Sequence, residues 1–410
     1  MLPYDYTIYM SEKIVVACSG GPDSMALLDR MRKEGFQIVV AHVNYQKRKS
    51  ANRDEEIVKA YCARYQIPCF VHVPTSQPTK NFQAWAREER YAFFESILKQ
   101  EHIHALYVAH HLDDLLETYL FQVQRNMLCD TYGLADRVER KTYTIFRPLL
   151  GFEKKELEAY CIRHAIAYGI DESNLSDHYT RNKIRHHQIE RMSSNEKRAL
   201  KKEIDQKNKN WKAWQRKLRD QIEQNGIVSM LSKEDGWLAL DLYLSPWLHR
   251  HLSKAHLRSL SQQFMHPCVI DLESHEVERW NDRLIVRKKS EPVCIVWNDL
   301  AAFKKFESLE LGNFRYLAHN KGATIEGVDL KSQDFPLRFR PGKTKDRIEM
   351  RFGTKTLQRF WIDHKIPRLL RKDWYVLENA SGRVIFVPGL GCDVSHFSIQ
   401  PNTFMLQLRI

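Results

Sequence analysis

Two short segments of the sequence carry residue types that could do chemistry. The first follows an apolar, β-branched run and reads Ser19, Gly20, Gly21, Pro22, Asp23 and Ser24. A strand that feeds a glycine turn and then a helix aims backbone N–H groups and the positive end of the helix dipole at one point. We expect this loop to hold a phosphate chain, with hydroxyl donors from Ser19 and Ser24. An ordinary glycine-rich turn between strand and helix is the alternative.

The second segment is a run of histidine and acidic residues, and it reads His110, His111, Leu112, Asp113, Asp114, Leu115, Leu116, Glu117 and Thr118. If a helix begins at the first leucine, Asp113, Asp114 and Glu117 share one face near its N-terminus. Carboxylates so close need a countercharge, which a Mg²⁺ bridging a nucleotide or the ammonium of a substrate amine would supply. His110 and His111 would steady a transferring phosphate or move a proton. Helix capping by the two aspartates, with solvated histidines, is the alternative.

Both segments need a scaffold that brings them together, and the N-terminal part of the chain alternates between strand and helix patterns. Strands are predicted at 14–18, 38–43, 69–73, 106–109 and 143–146. Helices are predicted at 23–33, 54–65, 82–99 and 113–123. This alternation indicates an α/β fold with a doubly wound, Rossmann-like parallel sheet, whose ligands bind at the carboxyl ends of the strands. His42 and Asn44 follow the second strand, where they would read an adenine or serve the structure.

Size and composition limit the class of protein. At 410 residues the chain is long enough for two or three domains. No apolar run is long enough to span a bilayer and no secretion signal is visible, so we expect a cytoplasmic protein without a membrane partner. The eight cysteines form no C-x-x-C pair, which favours reduced thiols over a zinc knuckle or an iron–sulfur cluster.

The net charge of +13 is concentrated in two segments. Residues 181–219 carry fourteen Lys or Arg against four acids, and residues 335–373 carry twelve against four. The remainder of the chain is therefore slightly acidic. Two basic segments indicate a polyanion that is gripped at two places, and nucleic acid is the preferred candidate. Each segment taken alone is also consistent with a solvated helix face.

The first segment, S-G-G-x-D-S after a strand, resembles the PP-loop of the N-type ATP pyrophosphatases; neither a Walker loop nor a dinucleotide fingerprint is present. With further motifs in the same order and spacing, the chain is similar to the tRNA(Ile)-lysidine synthetase family. Those motifs are 81–91 (Asn-Phe-Gln-Ala-Trp-Ala-Arg-Glu-Glu-Arg-Tyr), 110–118, 171–174 (Asp-Glu-Ser-Asn), 181–185 (Arg-Asn-Lys-Ile-Arg), 337–342, 363–367 and 387–389.

The resemblance implies a ligase that modifies the wobble cytidine of tRNA(Ile) with a CAU anticodon. ATP adenylates the carbon 2 oxygen of the cytosine, and the ε-amine of free lysine then displaces AMP to form lysidine. ATP and Mg²⁺ are the implied cofactors, tRNA(Ile) and free L-lysine are the implied partners, and the family allows a homodimer. An anticodon loop offers the splayed, single-stranded bases that such chemistry requires.

The resemblance also assigns residues. It implies ATP binding by Ser19, Gly20, Gly21, Pro22, Asp23 and Ser24. It implies catalytic roles for Asp114, Asp113, Glu117, His111 and Arg87, with Mg²⁺ at Asp113 and Asp114. Phosphate or tRNA binding is expected from Arg90, Arg181, Arg185, Lys201, Lys202, Arg340, Lys355 and Arg368. One arginine of Arg87 and Arg90 would alternatively pair with Glu88 or Glu89 on the same helix.

Domain limits are predicted from composition: a catalytic domain at 1–192, a basic helical linker at 193–224, a mainly helical middle domain at 225–330 and a small α/β domain at 331–410. Trp361 and Trp374 are expected to pack in a core rather than stack on nucleotides. The chain departs from the family after Glu117, where Gln122 stands in place of an arginine and 125–130 in place of a glycine-rich basic loop.

Two other classes of function stay open at this point. A related PP-loop enzyme could thiolate tRNA, although no paired cysteines are present for it. A tRNA-binding protein without catalysis is the third class, and the intact loop and aspartates argue against it. Glutamine-fed amidation is a weaker variant, because no amidotransferase domain accompanies the loop.

Overall fold

The computed structural model describes residues 13–46, 51–75, 78, 82–170, 180–319, 321–351 and 353–409. Its internal contacts divide the chain into two units, Met1–Trp214 and Gln215–Ile410. This boundary falls inside the segment that the sequence assigns to a basic helical linker. The domain limits at 192, 224 and 330 stay predictions.

The first unit contains a six-stranded sheet with the order β3-β2-β1-β4-β6-β5, parallel except for β5 at one edge. Its strands are β1 (Lys13–Ala17), β2 (Gln37–Val43), β3 (Cys69–His72), β4 (Ala105–Val108), β5 (Arg137–Glu139) and β6 (Thr144–Phe146). Its helices are α1 (Pro22–Lys33), α2 (Ala51–Arg64), α3 (Phe82–Gln100), α4 (Leu112–Gln124), α5 (Lys154–Arg163), α6 (Thr180–Ile184) and α7 (Ser194–Asn225), with a π-helix at Arg185–Ile189. The predicted doubly wound parallel sheet is confirmed.

The strands are nearly continuous apolar runs because helices cover both faces of the sheet. Val16 and Val40 belong to a core with helix α1, whereas their neighbours Val15 and Val39 belong to a core with helix α3. Alternate side chains of a strand point to opposite faces, so both halves of each run are buried. Burying each such side chain contributes about 1.5–3 kcal/mol.

Strand β5 and helix α5 escaped prediction. Strand β5 is three residues long and mostly exposed, so it shows no apolar alternation. Helix α5 begins with charged residues, and Glu153 and Glu156 form a capping box at its start.

The strand order brings the two chemical segments together. Strand β1 lies between β2 and β4, and the chain runs outward from β1 through β2 and β3 before it crosses to β4. The loops after β1, β2 and β4 therefore meet at the carboxyl edge of the sheet, where the strand order reverses. Crevices at such switch points bind ligands in open α/β sheets.

The second unit begins with helices and continues with antiparallel sheets. After the end of α7 come α8 (Ile227–Met230), α9 (Gly236–Leu248) and α10 (Lys254–Gln263), then a three-stranded sheet of β7 (Val269–Leu272), β8 (His275–Trp280) and β9 (Arg283–Lys288). Helix α10 begins at the N-cap Ser253, whose hydroxyl accepts a hydrogen bond from the N–H of His256. The helical middle segment is thus followed by a small sheet within the predicted 225–330 domain.

The C-terminal part contains a five-stranded sheet in the order β10-β14-β17-β18-β19, a four-stranded sheet in the order β11-β12-β20-β13, and the hairpin β15-β16. The elements are β10 (Ile295–Trp297), α11 (Leu300–Lys304), β11 (Ser308–Leu311), β12 (Phe314–His319), β13 (Gly327–Val328), β14 (Leu337–Pro341), β15 (Arg347–Met350), β16 (Gly353–Thr356), α12 (Leu357–Asp363), α13 (Arg368–Lys372), β17 (Tyr375–Glu378), β18 (Val384–Val387), β19 (Gly391–Cys392) and β20 (Thr403–Arg409). Trp361 and Trp374 are buried in its core, as predicted.

A buried histidine in this unit predicts a pH-dependent stability. His396 lies between two carboxylates, with Nδ1 2.5 Å from Asp393 and Nε2 2.9 Å from Asp334. Burial alone would lower the pKa of His396, but the two carboxylates outweigh it and raise this pKa. The stabilisation is therefore complete below the ordinary histidine value and is lost as the pH rises through the raised folded-state value.

We expect the free energy of unfolding of the full chain to fall by on the order of 1 kcal/mol through His396 as the pH rises above about 6.5. Chemical denaturation across this range measures the effect. His396→Gln should remove this part of the pH dependence. An equal pH dependence in the wild type and the variant would contradict the assignment.

Candidate active site

The loop between β1 and α1 is organised by its own serines. The Ser24 hydroxyl oxygen accepts a hydrogen bond from the Ser19 N–H at 3.1 Å, and the hydroxyl donates to the Gly21 carbonyl at 3.0 Å. Ser24 is buried and Ser19 is exposed. Gly21 is the N-cap of α1 and no side chain caps the helix, so its first N–H groups face the loop opening. Ser24 therefore shapes the loop, and Ser19 is the serine accessible to a ligand.

Gly20 is required by both its backbone conformation and its surroundings. Its φ is +88°, and an added Cβ would lie 2.8 Å from the carbonyl oxygen of Asp54 in helix α2. The Gly20 carbonyl also accepts a hydrogen bond from the Gly169 N–H at 2.8 Å. Only glycine satisfies this combination of positive φ and close packing without strain.

A cavity of about 370 Å³ opens in front of the loop. Its wall combines the loop with the end of β2, one side of α3 and the end of β4. The polar residues of the wall are Ser19, Asp23, Ser24, His42, Asn44, Tyr45, Asp54, Arg87, Arg90, Tyr91 and His110. The volume is in the range typical of small-molecule sites.

Helix α4 begins with a capping box that fixes the second segment. The N-cap is His111, whose Nδ1 accepts a hydrogen bond from the Asp113 N–H at 3.2 Å. In return, Asp114 Oδ2 accepts from the His111 N–H at 3.1 Å. A ring nitrogen that accepts carries no proton, so neutral His111 is protonated at Nε2. The capping alternative is thus correct for Asp114, although capping does not exhaust its contacts.

His111 joins this segment to the phosphate-binding loop. Its Nε2 lies 3.4 Å from Asp114 Oδ2 and 3.7 Å from Asp23 Oδ2. Asp23 Oδ1 is buried without a hydrogen-bond partner, and burial raises the pKa of this carboxyl. An orphaned buried carboxylate oxygen is costly unless a ligand completes it.

Arg185 neutralises the inner carboxylates. Its guanidinium donates to Asp114 Oδ1 at 2.8 Å and to Glu117 Oε2 at 2.9 Å, and Arg181 lies 3.8 Å from Glu117. Burial raises the pKa of Glu117. Burial would also raise the pKa of Asp114, but the neighbouring histidines and Arg185 bring it below its usual value. The countercharge expected from Mg²⁺ or a substrate amine is thus partly supplied by the protein.

Asp113 is paired away from the cavity, which corrects its predicted catalytic and Mg²⁺-binding roles. Its Oδ1 accepts from Lys197 Nζ at 2.6 Å, and its Oδ2 accepts from the Lys154 N–H at 3.3 Å. Both members of the Asp113–Lys197 pair are buried. Asp113 therefore anchors the start of helix α7 to helix α4.

Lys197→Met is expected to reduce the free energy of unfolding by about 3 kcal/mol, because it leaves the buried Asp113 carboxylate unpaired. The double variant Asp113→Asn with Lys197→Met should recover most of this loss in chemical denaturation. Lys201→Met is the control, since the Lys201–Asp205 pair on the same helix is more exposed and should cost under about 1 kcal/mol. Equal losses for the two lysine variants would argue against this role for Lys197.

The described residues were tested for a Mg²⁺ site. They contain no preformed group of three or more His, Cys, Asp or Glu side chains arranged around one metal. Asp113 does not fit because Lys197 occupies it. Asp23, with its orphaned oxygen, and Asp114 do fit, since Mg²⁺ is commonly held by one or two carboxylates together with phosphate oxygens.

Arg87 and Arg90 line the cavity from helix α3. The Arg87 guanidinium lies over the Tyr91 ring, 4.9 Å from its centroid. Glu89 is bound to His72 at 2.8 Å, and the described side chains show no ion pair from either arginine to Glu88 or Glu89. Their position suits contact with an anionic ligand.

Comparison with known proteins agrees with this geometry. The PP-loop domain model matches residues 4–192, and the TilS substrate C-terminal domain model matches residues 335–408. The tRNA(Ile)-lysidine synthase of Mycoplasma mycoides subsp. mycoides SC is 28% identical over 404 residues, which cover 93% of this chain and 97% of the relative. The chain belongs to the tRNA(Ile)-lysidine synthase family.

Two further relatives carry the same name. The tRNA(Ile)-lysidine synthase of Bacillus subtilis is 27% identical over 97% of this chain and 93% of the relative. The one from Malacoplasma penetrans is 37% identical over 43% of this chain and 61% of the relative. Membership of the PP-loop family implies use of ATP. Within the described ranges, none of the helices has the length and apolar character needed to cross a membrane.

The segment that departs from the lysidine synthase family after Glu117 packs against helix α7. Gln122 accepts a hydrogen bond from the Gly133 N–H at 2.7 Å, and Trp211 Nε1 donates to the Cys129 carbonyl at 3.0 Å. Asn208 bonds both the N–H and the carbonyl of Tyr132. Side-chain amides thus hold a segment in which the family usually has a basic, glycine-rich loop.

The predicted tRNA-binding residues differ in availability. Lys202 is exposed, whereas Lys201 pairs with Asp205. Arg340 is a correction, because Asp346 and Glu378 engage its guanidinium on both edges and it is mostly buried. Lys355 lies 3.3 Å from Asp363, and the Arg368 side chain is exposed. The motif at 171–174 lies outside the described residues.

Sequence reasoning missed Lys197, Gly169 and Arg147. Arg147 is buried, and its Nε donates to His110 Nδ1 at 3.1 Å. Each of the three acts through a partner distant in sequence, so no local pattern marks it. The Phe-Arg-Pro sequence after β6 was the only signal near Arg147, since a buried arginine directly after an apolar strand is unusual.

Proposed function

We propose that this chain is an ATP-dependent ligase that attaches lysine to the wobble cytidine of tRNA(Ile) with a CAU anticodon. The observation that carries the proposal is the contact chain Asp23–His111–Asp114, which joins the phosphate-binding loop to the acidic helix start. A nucleotide in the cavity and an amine at the carboxylates would therefore meet at one reacting centre. The family relationship supports the identity of the substrates.

In the first step, the carbon 2 oxygen of cytosine attacks the α-phosphorus of ATP, and the bond to pyrophosphate breaks. The N–H groups of the loop and of the first turn of α1 would bind the phosphate chain. Arg87 and Arg90 would hold phosphoryl oxygens with their planar forks. Asp23 and Asp114 would hold Mg²⁺, which neutralises charge on the nucleotide when bound.

In the second step, the ε-amine of lysine attacks carbon 2 of the adenylated cytosine, the bond to AMP breaks, and the amine loses a proton. Asp114 would bind the incoming ammonium. His111 holds its Nδ1 toward a backbone N–H, so its Nε2 is a donor and cannot take that proton. Glu117 is the better acceptor, because burial raises the pKa of its carboxyl.

Thiolation is disfavoured by the chemistry of the nearest cysteine. Cys18 lines the cavity, and burial raises its pKa to about 11. Sulfur transfer requires a thiolate, and little thiolate forms at neutral pH at such a pKa.

The exposed face of α7 is proposed to contact tRNA phosphates. Lys202→Gln should weaken binding and lower the slope of log affinity against log salt by about 1, because one fewer counterion is displaced. Lys201→Gln should have the smaller effect, since Asp205 already pairs with that lysine. Binding of a tRNA transcript at several salt concentrations gives both slopes. An unchanged slope for Lys202→Gln would show that this lysine faces solvent in the complex.

The adenylated intermediate provides the test of the proposed mechanism. With ATP labelled at the α-phosphate and no lysine, label should appear on a tRNA with a CAU anticodon. Addition of lysine should release it as AMP, whereas sulfide should not. Absence of labelled tRNA, or release by sulfide alone, would contradict the proposal. The proposed substrate favours a cytoplasmic location, and a homodimer stays a prediction.

A further inference from the structure

A buried arginine controls one histidine of the cavity. Arg147 follows strand β6, and its Nε donates to His110 Nδ1 at 3.1 Å. Its Nη1 donates to the Ala135 carbonyl at 2.6 Å, and the Tyr91 hydroxyl lies within hydrogen-bonding reach. The guanidinium is therefore held in one orientation, with its Nε directed at the imidazole.

The direction of this hydrogen bond determines where the His110 proton lies. Arginine donates only, so Nδ1 of His110 must accept and neutral His110 carries its proton at Nε2. Burial, opposed by Asp114 but reinforced by the nearby arginines, lowers the pKa of His110 to about 4. The ring is thus neutral near pH 7 and has a donor at Nε2. Its side chain lines the cavity, and the described residues provide no hydrogen-bond partner for this Nε2.

We propose that Arg147 is a positioning residue that locks His110 in the Nε2–H tautomer, so that His110 donates a hydrogen bond to a phosphoryl oxygen of the bound nucleotide. The inference rests on the proposed function for its nucleotide and adds a residue to that site. In the other tautomer, a lone pair on Nε2 would face the phosphoryl oxygen and repel it. A wrongly placed imidazole proton is known to be costly in enzymes that depend on one tautomer.

A double-mutant comparison separates this role from a structural one. His110→Gln provides an amide N–H near the position of Nε2 and needs no partner to set a tautomer. Arg147→Leu should lower kcat for AMP formation by at least about tenfold in the wild-type background. In the His110→Gln background the same change should cost less than about threefold. Equal losses in both backgrounds would overturn the proposal, because a structural arginine would matter equally in each.

Two further variants guard against misfolding and loss of charge. Arg147→Lys keeps a cationic donor and should restore part of the activity lost in Arg147→Leu. Arg140→Leu removes a nearby exposed charge without touching His110 and should leave kcat within about twofold. Loss of activity in Arg140→Leu as large as in Arg147→Leu would show that charge alone matters, and would overturn the proposal.

The tautomer itself is measurable without nucleotide or tRNA. Nitrogen-15 chemical shifts of labelled histidine, assigned by comparison with His110→Gln, should show His110 with an unprotonated Nδ1 in the wild type. Arg147→Leu should convert this signal to a mixture of tautomers. A protonated Nδ1 in the wild type would overturn the inference and leave lysidine formation intact. Failure of lysidine formation with the predicted tautomer would instead count against the proposed function alone.

Discussion

Asp114→Asn is expected to lower the rate of lysidine formation by about 10²- to 10⁴-fold while tRNA affinity stays within about twofold. Asn keeps an acceptor for the N–H of His111, so the start of helix α4 should survive. It removes the negative charge that faces Arg185, His111 and the proposed lysine ammonium. Single-turnover product formation and filter binding of tRNA measure the two quantities separately.

The control for this variant is Glu56→Gln, which removes one carboxylate from an exposed position on helix α2. It should leave both rate and affinity unchanged within about twofold. A parallel loss of tRNA binding and product formation in Asp114→Asn would assign a structural role to Asp114. A near-normal rate would remove it from the reaction altogether.

Gly20→Ala is expected to raise the KM for ATP by at least about 30-fold. The new Cβ would meet the Asp54 carbonyl oxygen at 2.8 Å, so the loop must shift from α2 and its N–H groups must lose their common focus. Misplacement of binding groups by about 1 Å costs on the order of 100-fold in well-organised sites. Steady-state kinetics with ATP as the varied substrate measures the effect.

Gly35 offers a matched control for this substitution. Its φ is also +88°, and an added Cβ would meet nothing within 4 Å. Gly35→Ala should therefore carry a similar strain in stability, on the order of 1 kcal/mol, with no change in the KM for ATP. Equal effects of the two variants on KM would show that positive φ alone, rather than the contact with Asp54, accounts for the result.

Much of the catalytic unit could be predicted because its signals are local. The run from Ile14 to Ala17 is a buried parallel strand, which reads as continuous β-branched residues, and the glycine turn after it needs no distant partner. The acidic cluster was placed correctly at a helix start because the leucines after His111 have helical spacing. The predicted departure at Gln122 was also visible, although its packing on α7 was not.

The internal ion pairs could not be predicted. Lys197 and Asp113 are 84 residues apart, and Arg147 and His110 are 37 apart, so no spacing rule joins them. Composition likewise counts Arg340 among basic residues without showing that two carboxylates occupy it. Sequence identified the charges, and only the fold shows which of them neutralise one another.

Incorporation of labelled lysine into tRNA tests the central claim most directly. The protein is incubated with ATP, Mg²⁺, labelled L-lysine and a tRNA(Ile) transcript with a CAU anticodon, and the RNA is then digested to nucleosides. We predict label in one modified nucleoside, dependent on ATP and absent when the wobble cytidine is replaced by uridine. Label no higher than in the reaction without ATP, or equal label on the uridine transcript, would contradict the account.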